Sequence, residues 1–144
     1  MKSDTTLQDI FECQQLTTAY CYLIDHGEAT KTANLFTDDA VIRFTREDWK
    51  GKDQIRARMG LREAKTERIS RHVCNNFHVT SAQEDNITAT TYLSLYRADA
   101  KPGEKIGHIQ GPAVLGEYED TFVRTPSGWR IAQRICQIDL IGPK

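Results

Sequence analysis

The chain has 144 residues, 39% hydrophobic and 27% charged, which suits one globular domain with a single core. Its 19 basic and 20 acidic side chains nearly cancel and lie intermixed, which argues against a nucleic-acid binder and against a protein held on an acidic membrane surface. No apolar run approaches the roughly 20 residues of a bilayer span, and the N-terminal Met-Lys-Ser-Asp-Thr-Thr lacks the apolar segment of a signal peptide, so a cytoplasmic protein is expected.

A first helix is expected over residues 6–26, capped by Thr5 or Asp4. Its apolar positions include Leu7, Ile10, Phe11, Tyr20, Leu23 and Ile24, and Gly27 closes it in the left-handed conformation that glycine adopts easily. Cys13 and Cys21 fall about two turns apart on this helix, too far for a disulfide. With Cys74 and Cys136 they show no C-x-x-C spacing and read as reduced thiols. A short second helix is expected over 28–36, with Asp38 and Asp39 in a turn. A strand follows over 40–45, is broken at 48–51, and gives way to a third helix over 52–65.

From residue 71 the apolar period changes to two. Strands are expected over 71–82, 87–98, 113–125 and 129–140, joined by turns at 84–86 and 126–128 and by a Gly- and Pro-rich loop at 100–112. Helices early and hairpin-linked strands late make an α+β domain covering 1–144, in which a curved antiparallel sheet wraps over three helices. Such a cone leaves a cavity suited to a small apolar ligand.

Two residues carry the candidate chemistry. Asp25 ends the first helix among Tyr20, Tyr22, Leu23 and Ile24, where the helix dipole disfavours a carboxylate. A carboxylate kept at such a place is either a surface acid or a titratable group in an apolar site. His72 stands on the first long strand. Simple alternation puts His72, Cys74, Asn76 and His78 on one face and Val73, Asn75, Phe77 and Val79 on the other, so the apolar count turns His72 outward. Brought together, an Asp and a His form a unit in which the carboxylate fixes the tautomer of the imidazole and stabilises its protonated form. Tyr20, Tyr118, Trp49 and Asn76 are the candidate substrate contacts, with Trp49 placed where a lid could sit. The acids of the segment Glu117-Tyr-Glu-Asp120 read as solvated. His26, at the helix end, reads as a cation favoured by the dipole. His26, His72, His78 and His108 are dispersed, so neither a metal nor a cofactor is expected.

The pattern Tyr20-x4-Asp25, the run ANLFTDDAV over 33–41, Gly51-x3-Ile55, Arg71-His72-x2-Asn75 and the two-strand motif from Gly116 to Ile131 resemble the SnoaL-like group of the nuclear-transport-factor-2-like superfamily. The resemblance covers nearly the whole chain. It implies a cone-shaped α+β barrel that is a homo-oligomer, dimer or trimer, with the outer sheet face as the subunit contact. The Asp25 and His72 placement is similar to that of scytalone dehydratase and hexachlorocyclohexane dehydrochlorinase, members in which a His–Asp pair inside the cone removes a proton and an elimination follows. On that resemblance His72 is the base, Asp25 its orienting partner, and His72 points inward, against the alternation count. Ile24 replaces the tyrosine that scytalone dehydratase carries before its aspartate. The same fold also serves as the non-catalytic small subunit of ring-hydroxylating dioxygenases and as a ligand-binding module, which are the alternatives.

Overall fold

The computed structural model describes residues 5–143. Helix α1, Leu7–Asp25, starts from Thr6, whose hydroxyl accepts from the Asp9 amide while the Asp9 carboxylate accepts from the Thr6 amide. This reciprocal pair satisfies two donors that a helix start leaves open. The cap is therefore Thr6 and not Thr5; Asp4, the other candidate, lies outside the described residues. Asp9 is buried and also accepts from Trp129 Nε1 at 3.0 Å, which ties the start of the helix to the last strand. At the other end His26 is the C-cap and donates from Nδ1 to the Tyr22 carbonyl at 2.8 Å, and Gly27 takes φ +79° as its position requires.

The second helix is a 3-10 helix, Ala29–Leu35, and not an α-helix over 28–36. Its short sequence contains Thr30, Thr32 and Asn34, which are weak α-formers. Strand β1, Phe36–Arg43, begins four residues earlier than expected and contains the Asp38–Asp39 pair that the sequence suggested as a turn. The pairing of β1 with its neighbour is irregular between Phe36 and Val41, and both acids are exposed there. The segment expected to break the strand is itself strand β2, Asp48–Lys50, folded back antiparallel on β1. Helix α2 spans Lys52–Glu63 and buries Ile55 and Met59.

Four long strands follow: β3 (Arg68–Gln83), β4 (Asn86–Asp99), β5 (Val114–Thr125) and β6 (Gly128–Ile141). The sheet order is β2-β1-β6-β5-β4-β3. The β1–β6 pairing is parallel and the other four are antiparallel. Helices and a curved six-stranded sheet form the α+β architecture that the pattern indicated. The concave face and the helices enclose a core that includes Phe36, Ile42, Ile87, Phe122 and Ile131, all fully buried.

One irregularity decides what faces inward. In β3, Asn75 pairs with Tyr92 but His78 pairs with Thr90, so three steps on β3 match two on β4. The extra residue is a β-bulge at Asn76, whose φ is +58°. Asn tolerates that left-handed conformation better than most residues. Ser70, His72 and Cys74 face the interior before the bulge, and Phe77 and Val79 face it afterwards. The alternation count assumed one unbroken phase, so it placed His72 on the wrong face. Val73, which it placed inside, is 47% exposed. No helix among the described residues is long and apolar enough to cross a membrane.

Candidate active site

Helix α1 delivers Asp25 in its last turn, and the inward phase of β3 delivers Ser70 and His72 beside it. Asp25 Oδ1 lies 2.7 Å from His72 Nδ1 and accepts from the Ser70 hydroxyl at 2.7 Å. Asp25 Oδ2 accepts from the His72 backbone amide at 2.8 Å. One carboxylate thus holds both the ring and the main chain of His72, and its side chain is only 4% exposed. Burial pushes the Asp25 carboxyl up, but the His72 ring, the His72 amide and the Ser70 hydroxyl outweigh it and hold the group below its ordinary range. An ionised Asp25 accepts from Nδ1–H, so the neutral imidazole has its lone pair on Nε2.

His72 lines a cavity of about 310 Å³ between the sheet and the helices. Asp25 stands behind the ring and is not part of the cavity wall. Apolar walls come from Ile24, Met59, Leu93, Leu95 and Ile138. The edge-to-face rings of Tyr20 and Tyr118, with centroids 5.9 Å apart, form another side. Trp49, on the short strand β2, lines the site and packs on the Phe44 ring with centroids 4.5 Å apart. Of the four candidate substrate contacts, Tyr20, Trp49 and Tyr118 line the cavity. Asn76 does not; it is exposed, because it is the bulge residue that re-phases the strand.

Behind the two tyrosines lies a buried ion pair that the sequence did not suggest. The Arg134 guanidinium sits 4.4 Å from the Tyr20 ring centroid and 4.1 Å from that of Tyr118. It donates to both Asp120 oxygens, at 2.7 and 2.8 Å, and to Thr17 Oγ1 at 2.9 Å. Asp120 is 3% exposed, which corrects the reading of the 117–120 acids as solvated. Asp120 and Arg134 are register partners on β5 and β6, so each supplies the charge that lets the other be buried.

Arg62 of α2 also went unrecognised. It lines the cavity and donates to Ser70 Oγ at 2.9 Å, completing a chain Arg62–Ser70–Asp25–His72. Ser70 was findable, because it shares the phase of His72 two residues earlier. The Cys21 and Cys74 sulfurs, 3.4 Å apart, pack beneath this chain, and both remain free thiols. Among the described residues no group of three His, Cys, Asp or Glu side chains is placed to hold a metal ion.

The SnoaL-like domain model matches residues 5–135. The chain belongs to the SnoaL-like family. An uncharacterized protein of Mycobacterium tuberculosis is 30% identical over 145 residues, covering 94% of this chain and 88% of that protein. Among solved structures, a candidate scytalone dehydratase from Novosphingobium aromaticivorans superposes with a TM-score of 0.79 at 18% identity, covering 94% of this chain and 87% of that one. LinA gives 0.77 at 14% identity, covering 96% and 90%. The β subunit of a candidate aromatic-ring-hydroxylating dioxygenase from Novosphingobium aromaticivorans gives 0.71 at 18% identity, covering 90% and 88%. At these identities the structural likeness speaks for the fold, which is the NTF2-like, cystatin-like cone.

Proposed function

We propose that this protein is a cofactor-independent lyase or isomerase that removes a proton from an acidic C–H of a small, largely apolar cyclic molecule. The observation that carries the reading is the 2.7 Å contact between Asp25 and His72 Nδ1 on a ring that lines a largely apolar cavity. His72 Nε2 accepts the proton, and Asp25 stabilises the imidazolium that results. The C–H electron pair then forms a double bond as hydroxide or halide leaves the neighbouring carbon, or it takes the proton back at another position. General-base placement contributes about 10²–10⁴-fold to such a step, and the apolar walls add to it by excluding water.

Named neighbours of both kinds, a candidate scytalone dehydratase and a candidate dioxygenase β subunit, share the cone. The non-catalytic alternative makes no use of the His72 lone pair. The test is turnover, or exchange of the acidic C–H with deuterium from solvent, over a panel of cyclic hydroxy ketones and halogenated rings. His72→Gln is expected to abolish both while leaving the melting temperature within a few degrees. Equal rates in His72→Gln and wild type would remove the mechanism.

We infer further that the chain pairs with itself through the outer face of the sheet. Val73, Tyr92 and Leu140 share that face at 47%, 55% and 62% exposure, with Glu117 as the register partner of Tyr92. Light scattering is expected to give a dimer or trimer that Tyr92→Lys dissociates.

A further inference from the structure

We propose that the ligand of this cavity carries an anionic oxygen group, such as a carboxylate, seated between Arg62 and Arg97. The inference deepens the reading of the cavity as the reaction site by naming a second feature of the substrate besides its acidic C–H.

The argument rests on which donors lack acceptors. Arg62 and Arg97 both line the cavity, and no Asp or Glu does. They meet at Ser70: Arg62 donates to its hydroxyl, and Arg97 is its register partner on β4. Arg62 forms no carboxylate pair among the described residues, and the Arg97 side chain forms neither a hydrogen bond nor an ion pair there. Nearby Arg68, by contrast, is neutralised by Asp99 at 3.0 Å. Two like charges at one mouth repel each other, and a ligand anion between them removes that cost. Burial and the neighbouring Arg68 and Arg97 charges pull Arg62 down, against the opposing pull of the Asp25 and Asp99 carboxylates.

Trp49 adds a third donor. Its ring lines the same cavity, and its indole Nε1–H is buried without an acceptor. Native proteins pair such groups, and an orphan at a cavity marks where a ligand acceptor completes the bond. A planar guanidinium suits a carboxylate better than any other cation does. The cavity then takes an amphiphile, with its ring against Leu93, Leu95 and Ile138 and its anion at the arginines.

The test compares 2-naphthoate with the neutral 2-naphthylmethanol by isothermal titration calorimetry. The proteins are wild type, Arg97→Gln, Arg62→Gln, the double variant and His72→Gln. Wild type is expected to bind the acid about tenfold more tightly than the alcohol, the difference one charge-assisted contact makes. Arg97→Gln, an exposed position that leaves the fold intact, is expected to weaken the acid about threefold to tenfold and the alcohol by less than twofold. The double variant is expected to lose the preference altogether. Equal affinities in wild type, an undiminished preference in the double variant, or no naphthoate binding at millimolar concentration would each overturn the proposal. His72→Gln separates the two readings. If it leaves C–H exchange unchanged while the arginines still select the acid, proton transfer by His72 fails and the anion site stands.

Discussion

Replacing Asp25 by Asn leaves the shape of the site almost unchanged and alters only which atoms can donate. The wild-type carboxylate accepts from three donors: the His72 ring, the His72 amide and the Ser70 hydroxyl. An amide has one oxygen. The His72 backbone N–H cannot turn away, so the Asn oxygen is expected to stay on it and the NH₂ to take the Oδ1 position. That NH₂ donates towards Nδ1, which must then give up its proton. The neutral ring therefore carries its proton on Nε2, the nitrogen facing the cavity, and has no lone pair there to act as a base. Reversing the amide would set two donors against each other in a buried place, at about 1–3 kcal/mol. Loss of the negative charge weakens bonds that are worth about 1.5–3 kcal/mol each while charged, so Asp25→Asn is expected to destabilise the fold by about 1–3 kcal/mol. Turnover is expected to fall by the whole general-base contribution, about 10²–10⁴-fold. Long-range ¹H–¹⁵N correlation spectra of the His72 ring, recorded alongside urea titrations, read both effects. Wild type should give the Nδ1–H tautomer and the variant the Nε2–H tautomer. The same tautomer in both proteins would refute the reasoning.

Ser70→Ala removes the hydroxyl between Arg62 and Asp25; it is expected to cost about 1–3 kcal/mol, and to lower turnover about tenfold through looser placement of His72, with Ser70→Thr restoring much of both in thermal melts and rates. Acid stability follows from two of the carboxyls that folding holds below their ordinary range. Thr6, Trp129 and Arg124 outweigh burial to hold Asp9 down, as the His72 and Ser70 contacts do for Asp25. Unfolded, both titrate near pH 4, so their stabilisation is complete above about pH 5 and is lost as pH falls through 4 towards the folded values. Melting temperatures measured from pH 7 to 3 should show that fall, and Asp9→Asn should flatten it. Asp120→Ala leaves the Arg134 charge buried and unpaired and is expected to cost about 3–5 kcal/mol in chemical denaturation, whereas Asp120→Ala with Arg134→Met should recover most of it.

The strands and long helices were legible because their signals are local: apolar period two from residue 71 onward and a glycine stop at Gly27, with the helix start placed at Thr5 or Asp4, next to the Thr6 that caps it. The Asp38–Asp39 segment was misread because turn propensity is also local, whereas its place beside β6 is set by pairing nearly 100 residues away. The site divided in the same way. Asp25 and His72 stand out as titratable candidates from their own positions, but only the family resemblance turns His72 inward; the alternation of β3 points the other way until the Asn76 bulge accounts for it. Arg62, Ser70 and the Asp120–Arg134 pair acquire meaning only from contacts between elements distant in sequence. A charged residue in a strand carries no sign of whether its partner across the sheet neutralises it.

The bulge at Asn76 makes β3 two strands in series as far as redesign is concerned. Residues on its dyad side and on its core side answer to different phases, so their tolerances to substitution are set independently. A one-residue deletion at 76 would restore unbroken alternation with Cys74 and Phe77 both facing inward, whereas a one-residue insertion between Phe77 and Val79 would oblige one of those two to turn outward. Insertion and deletion scanning of β3 is therefore a sharper probe of this protein than point substitution, since length and not identity decides which residues see the cavity. Glycine at 76 keeps the +58° backbone at no steric cost, and it is the substitution through which a designed variant can relax the kink without moving the site.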